Sequence, residues 1–296
     1  MKKIFLTIML FSTASLALAQ ENSTATESSS FQSKNGFNIL PESGDIAVGM
    51  TMDPVFNYLG NFFNGNTGNS APGASFLTNP QVSTNHMFAK YFLSDKSALR
   101  ATFEYSGVNT FNKQYVQDDA EIFADPLSNA KAEDMAQTIG SVFVIGAGYE
   151  MRRGKSRVQG YYGGNIFFAI SNSRTEYSYA NPFSELNPNP STTDFGDNVL
   201  ANNERVTTDY AGQSRGFGLG GFFGIECFIF PKVSLGAELG YNYTYTKTGQ
   251  SRYHYESWNV DVVEEKIKID ESTSISTNNF LGTANPTANF FLMFHF

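Results

Sequence analysis

The stretch Gly216–Tyr245, GFGLGGFFGIECFIFPKVSLGAELGYNYTY, decides the fold, because its side chains alternate with a period of two for nearly thirty residues. In its second half Val233, Leu235, Ala237, Leu239, Tyr241, Tyr243 and Tyr245 share one face, while Ser234, Gly236, Glu238, Gly240, Asn242 and Thr244 share the other. The first half repeats the pattern: Phe217, Leu219, Phe223, Ile225, Cys227 and Ile229 lie opposite Gly216, Gly218, Gly220, Gly224 and Glu226. Phe230-Pro231-Lys232 makes the tight connection. Strands of a soluble sandwich run about 5–6 residues, whereas crossing a bilayer at a tilt takes roughly 9–11. These are long enough to cross, so the apolar face is expected to meet lipid and the small, polar face to fill a lumen.

The rest of the chain agrees with that reading. Met1–Ala19 carries Lys2 and Lys3, an apolar run and Ala17-Leu18-Ala19, the pattern of a secretory signal with its cleavage site. Residues 20–43 read as a flexible periplasmic lead-in, Ser/Thr-rich from Glu21 to Ser33, and 44–296 as one barrel domain. No later run approaches the ~18 apolar residues of a membrane helix, so spanning falls to strands. Without the signal, 18 basic residues face 28 acidic ones, a net charge of -10 that argues against nucleic acid as a partner. Cys227 is the single cysteine, so no intramolecular disulfide forms; it reads as a small apolar residue on the lipid face. Aromatics at 15% and 26 glycines suit a barrel.

Eight strands can be counted. The first begins near Gly44, and Asn57–Pro80 is an outer loop. The second runs through Thr84–Leu93, turns at Ser94–Ser97, and the third returns with Leu99, Ala101, Phe103 and Tyr105 on its apolar face. Asn112–Gln137 is loop or strand extension. The fourth and fifth strands, Ile139–Arg153 and Val158 to about Tyr179, meet at Gly154-Lys155, where a two-residue turn would set Glu150 opposite Gln159. Ala180–Asn203 and Lys247–Thr277 form the last two outer loops, and a final strand runs from about Thr287 to Phe296. The expected fold is an all-β, eight-stranded antiparallel up-and-down transmembrane β-barrel with short periplasmic turns and long extracellular loops.

Residues 221–241, GFFGIECFIFPKVSLGAELGY, resemble the strand-turn-strand signature of small outer-membrane β-barrel proteins common in Bacteroidota, broadly OmpX-like. The closing NFFLMFHF is similar to the C-terminal signal read by barrel assembly machinery, which implies that role for Phe290, Leu292, Phe294 and Phe296. The resemblance implies location in the outer membrane, with its lipid and the assembly machinery as partners, and implies no particular activity. No segment reads as the peptidoglycan-binding domain of OmpA-like proteins, so wall anchoring is not expected.

Distance from the lower turns places Lys90, Arg100, Glu104, Glu150, Glu226 and Glu238 low in the lumen, with Phe222 and Phe228 also inward. An eight-stranded barrel encloses only enough space for side chains, so these charges are expected to pair as a structural core. A three-residue turn at 231–233 would set Glu226 opposite Glu238, and the two would need Arg100, Lys90 or a shared proton between them. The interior glycines (Gly146, Gly148, Gly163, Gly218, Gly220, Gly236, Gly240) suit a narrow bore. At the upper rim, SRYHYESW offers His254, Glu256 and Ser257 as residue types for a lipid A-modifying site, with Glu256 able to orient the imidazole and Ser257 on the wrong face. The competing reading puts Tyr253, Tyr255 and Trp258 in an aromatic girdle. His86 and His295 stand alone, no metal-ligand spacing occurs, and no cofactor is implied. The expected role is non-enzymatic: envelope structure, surface contact, or a subunit of a larger outer-membrane complex. A lipid A enzyme and a narrow solute channel are the alternatives.

Overall fold

The computed structural model describes residues 32–33, 36–52, 87–154, 156–196, 198–200, 203–259, 262–271 and 273–296, and for 279–289 the backbone alone. The signal stretch Met1–Ala19, nearly all of the Ser/Thr-rich run, the loop Asn57–Pro80 and His86 lie outside the described residues.

The elements are β1 (Ile46–Thr51), β2 (Met87–Ser94), β3 (Ser97–Gln117), α1 (Asp119–Ala124), β4 (Lys131–Arg153), β5 (Val158–Ser178), β6 (Val199–Leu200), β7 (Glu204–Tyr210), β8 (Ser214–Phe230), β9 (Val233–Thr248), β10 (Arg252–Asn259), β11 (Val262–Ile269) and β12 (Ser276–His295). Eight of them close into an antiparallel ring, β1-β2-β3-β4-β5-β8-β9-β12, in which β12 returns to β1. A row of neighbours leaving Val48 passes Ala89, Ala101, Ala147, Ile166, Leu219 and Tyr243 and reaches β12 at Leu281, whereas Val48's own partner there is Phe294. Of those thirteen residues, three are extra residues of the bulge at Leu281/Pro286, which leaves a stagger of ten around the ring. Such a stagger inclines the strands by roughly 35–45° to the barrel axis.

Alternation sorts the two faces as expected. Phe223, Ile225, Leu235 and Leu239 point out and are exposed, while Phe222, Glu226, Phe228, Ser234 and Glu238 are buried inside. The outward positions Val233 to Tyr245 cover roughly 40 Å of strand, which at that tilt is about 30 Å of height, the thickness of a hydrocarbon core. Phe168, Phe217 and Tyr245 are cross-strand neighbours on the outer face at its upper edge. Inside, rings fill the bore: Phe88 and Tyr161 stand 5.9 and 6.4 Å from Phe291, and Tyr161 stands 6.2 Å from Phe222. Glycines make room for them; a Cβ on Gly236 would lie 2.1 Å from Phe291 Cζ, and one on Gly218 1.8 Å from Phe167 Cζ.

Several details correct the sequence reading. Glu150 pairs with Gly163, not Gln159, because Val158 pairs with Cys227 and the Arg157 carbonyl accepts from Phe228 N (2.8 Å), so β5 joins β8 before it meets β4 at Gly160. Glu226 lies opposite Gly236 and Glu238 opposite Gly224: the turn has only two residues, Pro231 and Lys232, and a register shift at Phe228/Phe230 resets the ladder. Lys232 accepts positive φ (62°) in that turn. Of the two readings left open for Asn112–Gln137, strand extension holds, interrupted by α1; β12, however, begins at Ser276 rather than near Thr287. The end of the lead-in is tied to the barrel, since Ser43 Oγ donates to the Leu93 carbonyl (2.9 Å) and Ile39 is buried; just after it Gly44 N donates to the Phe92 carbonyl (2.8 Å) and Asp45 pairs with Lys232.

The outer loops carry structure of their own. Above Ser171 β5 leaves β8, and its Arg174–Glu176 pair with β7; β7 then pairs with β10 and β10 with β11, with β6 on β7. The sheet thus branches at β5, and β7, β10 and β11 continue it at the long-loop end.

Candidate functional site

Parity on six strands delivers one buried charge cluster to the lower bore. Lys90 Nζ lies 3.0 Å from Glu150 Oε2 and 3.2 Å from Glu226 Oε2. Arg100 Nη1 lies 2.7 Å from Glu238 Oε2, and its Nε is 3.7 Å from Glu150 Oε2. Arg152 Nη1 bridges Glu150 Oε1 (2.6 Å) and Glu226 Oε2 (2.8 Å), while its Nε donates to Gln159 Oε1 (3.0 Å). Three cations thus meet three carboxylates, and their side chains are nearly or wholly sealed from solvent. Rings close the gaps: the Arg100 guanidinium stands 4.1 Å from the Phe222 ring centroid and Lys90 Nζ 4.8 Å from that of Tyr161. Charges out of water are costly unless paired, and here every one has an opposite charge within 4 Å, although Glu150 Oε2 and Arg152 Nη2 are buried without a hydrogen bond of their own.

Five of the six residues named from the sequence are joined here. The sixth, Glu104, is buried on β3 four residues above Arg100. Sequence reasoning missed Arg152, Gln159, Ser234 and His295. Parity could have found them: Met151, the neighbour of Glu150 and Arg152, points outward, and Phe294 and Phe296 flank His295 on the outside.

Ser234, His295 and Glu226 supply the residue types of a nucleophile, a base and an acid. His295 Nε2 lies 3.0 Å from Ser234 Oγ and 3.1 Å from Glu226 Oε1, and Ser234 Oγ donates to that same Oε1. A relay needs the acid on the other ring nitrogen, and Nδ1 is buried without a hydrogen-bond partner. All three are closed to solvent. Their position explains them better: they clamp β12, the last strand to close the ring, to β8 and β9.

At the rim Glu256 is engaged by Arg205, whose Nε lies 2.6 Å from Oε1, and the His254 ring rests against Tyr210 with centroids 5.3 Å apart. Ser257 is buried on the opposite face of β10. The residues of the rim candidate are thus committed to separate structural contacts. Among the described residues no three His, Cys, Asp or Glu are grouped to hold a metal ion.

The long loops are pinned from within. Buried Asp134 accepts from Ala180 N and Thr193 N, both at 2.8 Å, and buried Asn198 donates to the Thr193 carbonyl at 2.7 Å and accepts from Phe195 N at 2.6 Å. Asn181 ties to the carbonyls of Gln117 and Ser191, and Arg205 lies between the rings of Tyr179 and Phe183 (4.3 and 4.5 Å). Burial pushes the Asp119 carboxyl up, but hydrogen bonds from Ser191 N and Asn187 Nδ2 with the charge of Arg205 outweigh it and hold the group below the usual carboxylate range.

No family model and no curated protein matches the chain. Among solved structures, the crystal structure of the outer membrane protein OprG from Pseudomonas aeruginosa aligns over 87% of this chain and 98% of that one, at 9% identity and a TM-score of 0.36. The solution structure of the E. coli outer membrane protein W aligns over 87% and 100%, at 10% identity and a TM-score of 0.27. Both scores are too low for a close backbone match, so the fold rests on this chain's own strand pairing.

Proposed function

We propose that the chain is an outer-membrane β-barrel whose body neither conducts nor catalyses, and whose outer sheet and pinned loops make contacts at the cell surface. The observation that carries this is the neutralised charge cluster, packed among aromatic rings, that fills the lower bore. Placement in the membrane is supported by the outward belt, since a contiguous apolar band of this height is not left in water. The short turns would face the periplasm and the long loops the exterior. The resemblance of residues 221–241 to Bacteroidota-type small barrels supports the same location. Phe290, Phe294 and Phe296 point outward at the closing strand, an arrangement suited to recognition by assembly machinery. The surface role is that of a structural envelope protein or of a subunit in a larger outer-membrane complex.

Thiol labelling on intact cells tests the placement. A membrane-impermeant maleimide should label Leu186→Cys, which sits at 83% exposure on an outer loop, and leave the native Cys227 on the belt untouched. Equal labelling of both would put the belt in water and overturn the reading. For the non-enzymatic claim, mass spectrometry of lipid A from His254→Ala cells should match wild type. A change in acylation on deletion of the protein, reproduced by His254→Ala, would give the site to lipid A chemistry.

A further inference from the structure

We propose that the open edge of β11 is self-complementary and pairs antiparallel with β11 of a second copy of this chain, centred on Glu265. The inference rests on the reading that the β7-β10-β11 sheet stands outside the membrane.

Among the described residues β11 pairs with β10 alone and ends the sheet. Both its faces are open: Val262, Ile267 and Ile269 are 59%, 67% and 57% exposed, apolar residues that no neighbour covers. The backbone is set for a further strand. Asp270 N donates to the Ser251 carbonyl (3.0 Å), one step beyond the Arg252–Ile269 pair. Hydrogen-bonded pairs recur every second residue in an antiparallel ladder, so Val262, Glu264, Lys266 and Lys268 turn their backbone groups to β10. Val263, Glu265, Ile267 and Ile269 turn theirs to the open edge.

A second β11 related by a two-fold axis normal to the sheet keeps every side chain on its own face. With the axis at Glu265, Val263 meets Ile267 of the second copy on one face, twice. On the other face Glu264 meets Lys266, also twice, and these are the charges that each strand now pairs internally. Moving the axis to Lys266 keeps Val263 against Ile269 and Glu264 against Lys268, but at its centre it sets Glu265 against Ile267 twice and Lys266 against its twin; moving it to Glu264 sets Val263 against Glu265. The Glu265 register differs in sparing its central pairs any charge opposite an apolar residue: Val263 meets Ile267 on one face and Glu264 meets Lys266 on the other. Its costs are Glu265 facing its twin, since like charges directly opposite are unfavourable, and Val262 facing Lys268 at each end. Charge points to this strip as well. The chain carries a net charge of -8, which repels another copy, whereas β11 balances Glu264 and Glu265 with Lys266 and Lys268. Lysines on an edge strand discourage indiscriminate pairing; here Lys266 selects a partner with Glu264 in the matching place.

Cross-linking of the full chain in detergent micelles, where no shared bilayer fixes the two orientations, tests the register. In a Cys227→Ser background, Glu265→Cys should give a disulfide-linked dimer on mild oxidation, because directly opposed hydrogen-bonded residues lie about 5.5 Å apart, within disulfide reach. Ile269→Cys should not, since in this register the two copies of position 269 are separated by roughly 26 Å. Within Glu265→Cys, adding Glu264→Lys or Lys266→Glu should each lower the dimer yield at least threefold, and adding both should restore it. Equal cross-linking at 265 and 269, or a double exchange that fails to recover, overturns the proposal. Impermeant-maleimide labelling of Ile269→Cys, which this register leaves outside the cross-link, on intact cells separates the two claims: labelling while Glu265→Cys gives no dimer refutes self-pairing alone, and no labelling refutes the external placement and the pairing with it.

Discussion

Arg152 is the residue whose loss should be felt most in the bore. Its Nη1 bridges Glu150 and Glu226 at 2.6 and 2.8 Å and its Nε serves Gln159 at 3.0 Å, with the side chain 1% exposed. Arg152→Met keeps the stem and removes the charge, leaving two cations among three buried carboxylates and Lys90 alone between Glu150 and Glu226. Breaking a buried ion pair by removing one partner costs about 3–5 kcal/mol, because the charge left behind stays desolvated. Denaturant unfolding of the protein in lipid vesicles, followed by circular dichroism, should show a loss of that order. Arg153→Met, on the outside of the same strand at its short-turn end, should stay within about 0.5 kcal/mol of wild type. Adding Glu226→Gln to Arg152→Met rebalances the cluster at two charges of each sign and should recover part of the loss, a coupling readable in a double-mutant cycle. If Arg152→Met unfolds like Arg153→Met, water reaches the cluster and the sealed bore is refuted.

Other consequences follow from particular contacts. Gly236→Ala should destabilise by about 1–3 kcal/mol through its clash with Phe291, and Phe291→Leu should relieve it in the double variant. Asp134→Ala removes the buried acceptor that holds the Ala180 and Thr193 N–H groups, so protease should cut between 180 and 193 while the barrel survives. Because the folded pKa of Asp119 is depressed, its contribution to loop docking is present above the ordinary carboxylate value and lost as pH falls through the depressed one. Protease resistance at 181–191 should therefore persist through mild acid and fail only below it, and Asp119→Asn should remove that dependence. Truncating Phe290–Phe296 should abolish the heat-modifiable band of a folded barrel on unboiled gels, because two open edges facing lipid cost several kcal/mol per unpaired group. Phe296→Ala should lower its yield; a truncated chain that still shows the band would refute β12 as the closing strand.

The barrel was legible wherever one face is apolar, as in Gly216–Tyr245, because lipid demands what parity then displays. Registers were not. A shift at Phe228/Phe230 and the early engagement of Arg157 with β8 are settled by neighbouring strands, and no local signal marks them. The upper part of β12 hid for a different reason: Gly282 and Pro286 interrupt it at a bulge. β11 hid because VVEEKIKI has no covered face and reads as loop. Within the site, Arg152 and His295 obey the same parity that placed Glu150 and Glu226; a lone histidine and a doubled arginine at a turn did not announce a network that only seven strands together assemble.

Planar-bilayer recording tests the central claim most directly. The purified barrel, inserted at neutral pH, should show no steady ionic current, because Lys90, Arg100, Arg152 and their three glutamates, with Phe222 and Phe228, fill the bore. Stable, repeated conductance steps from the folded wild-type protein would contradict a plugged body and make the chain a channel.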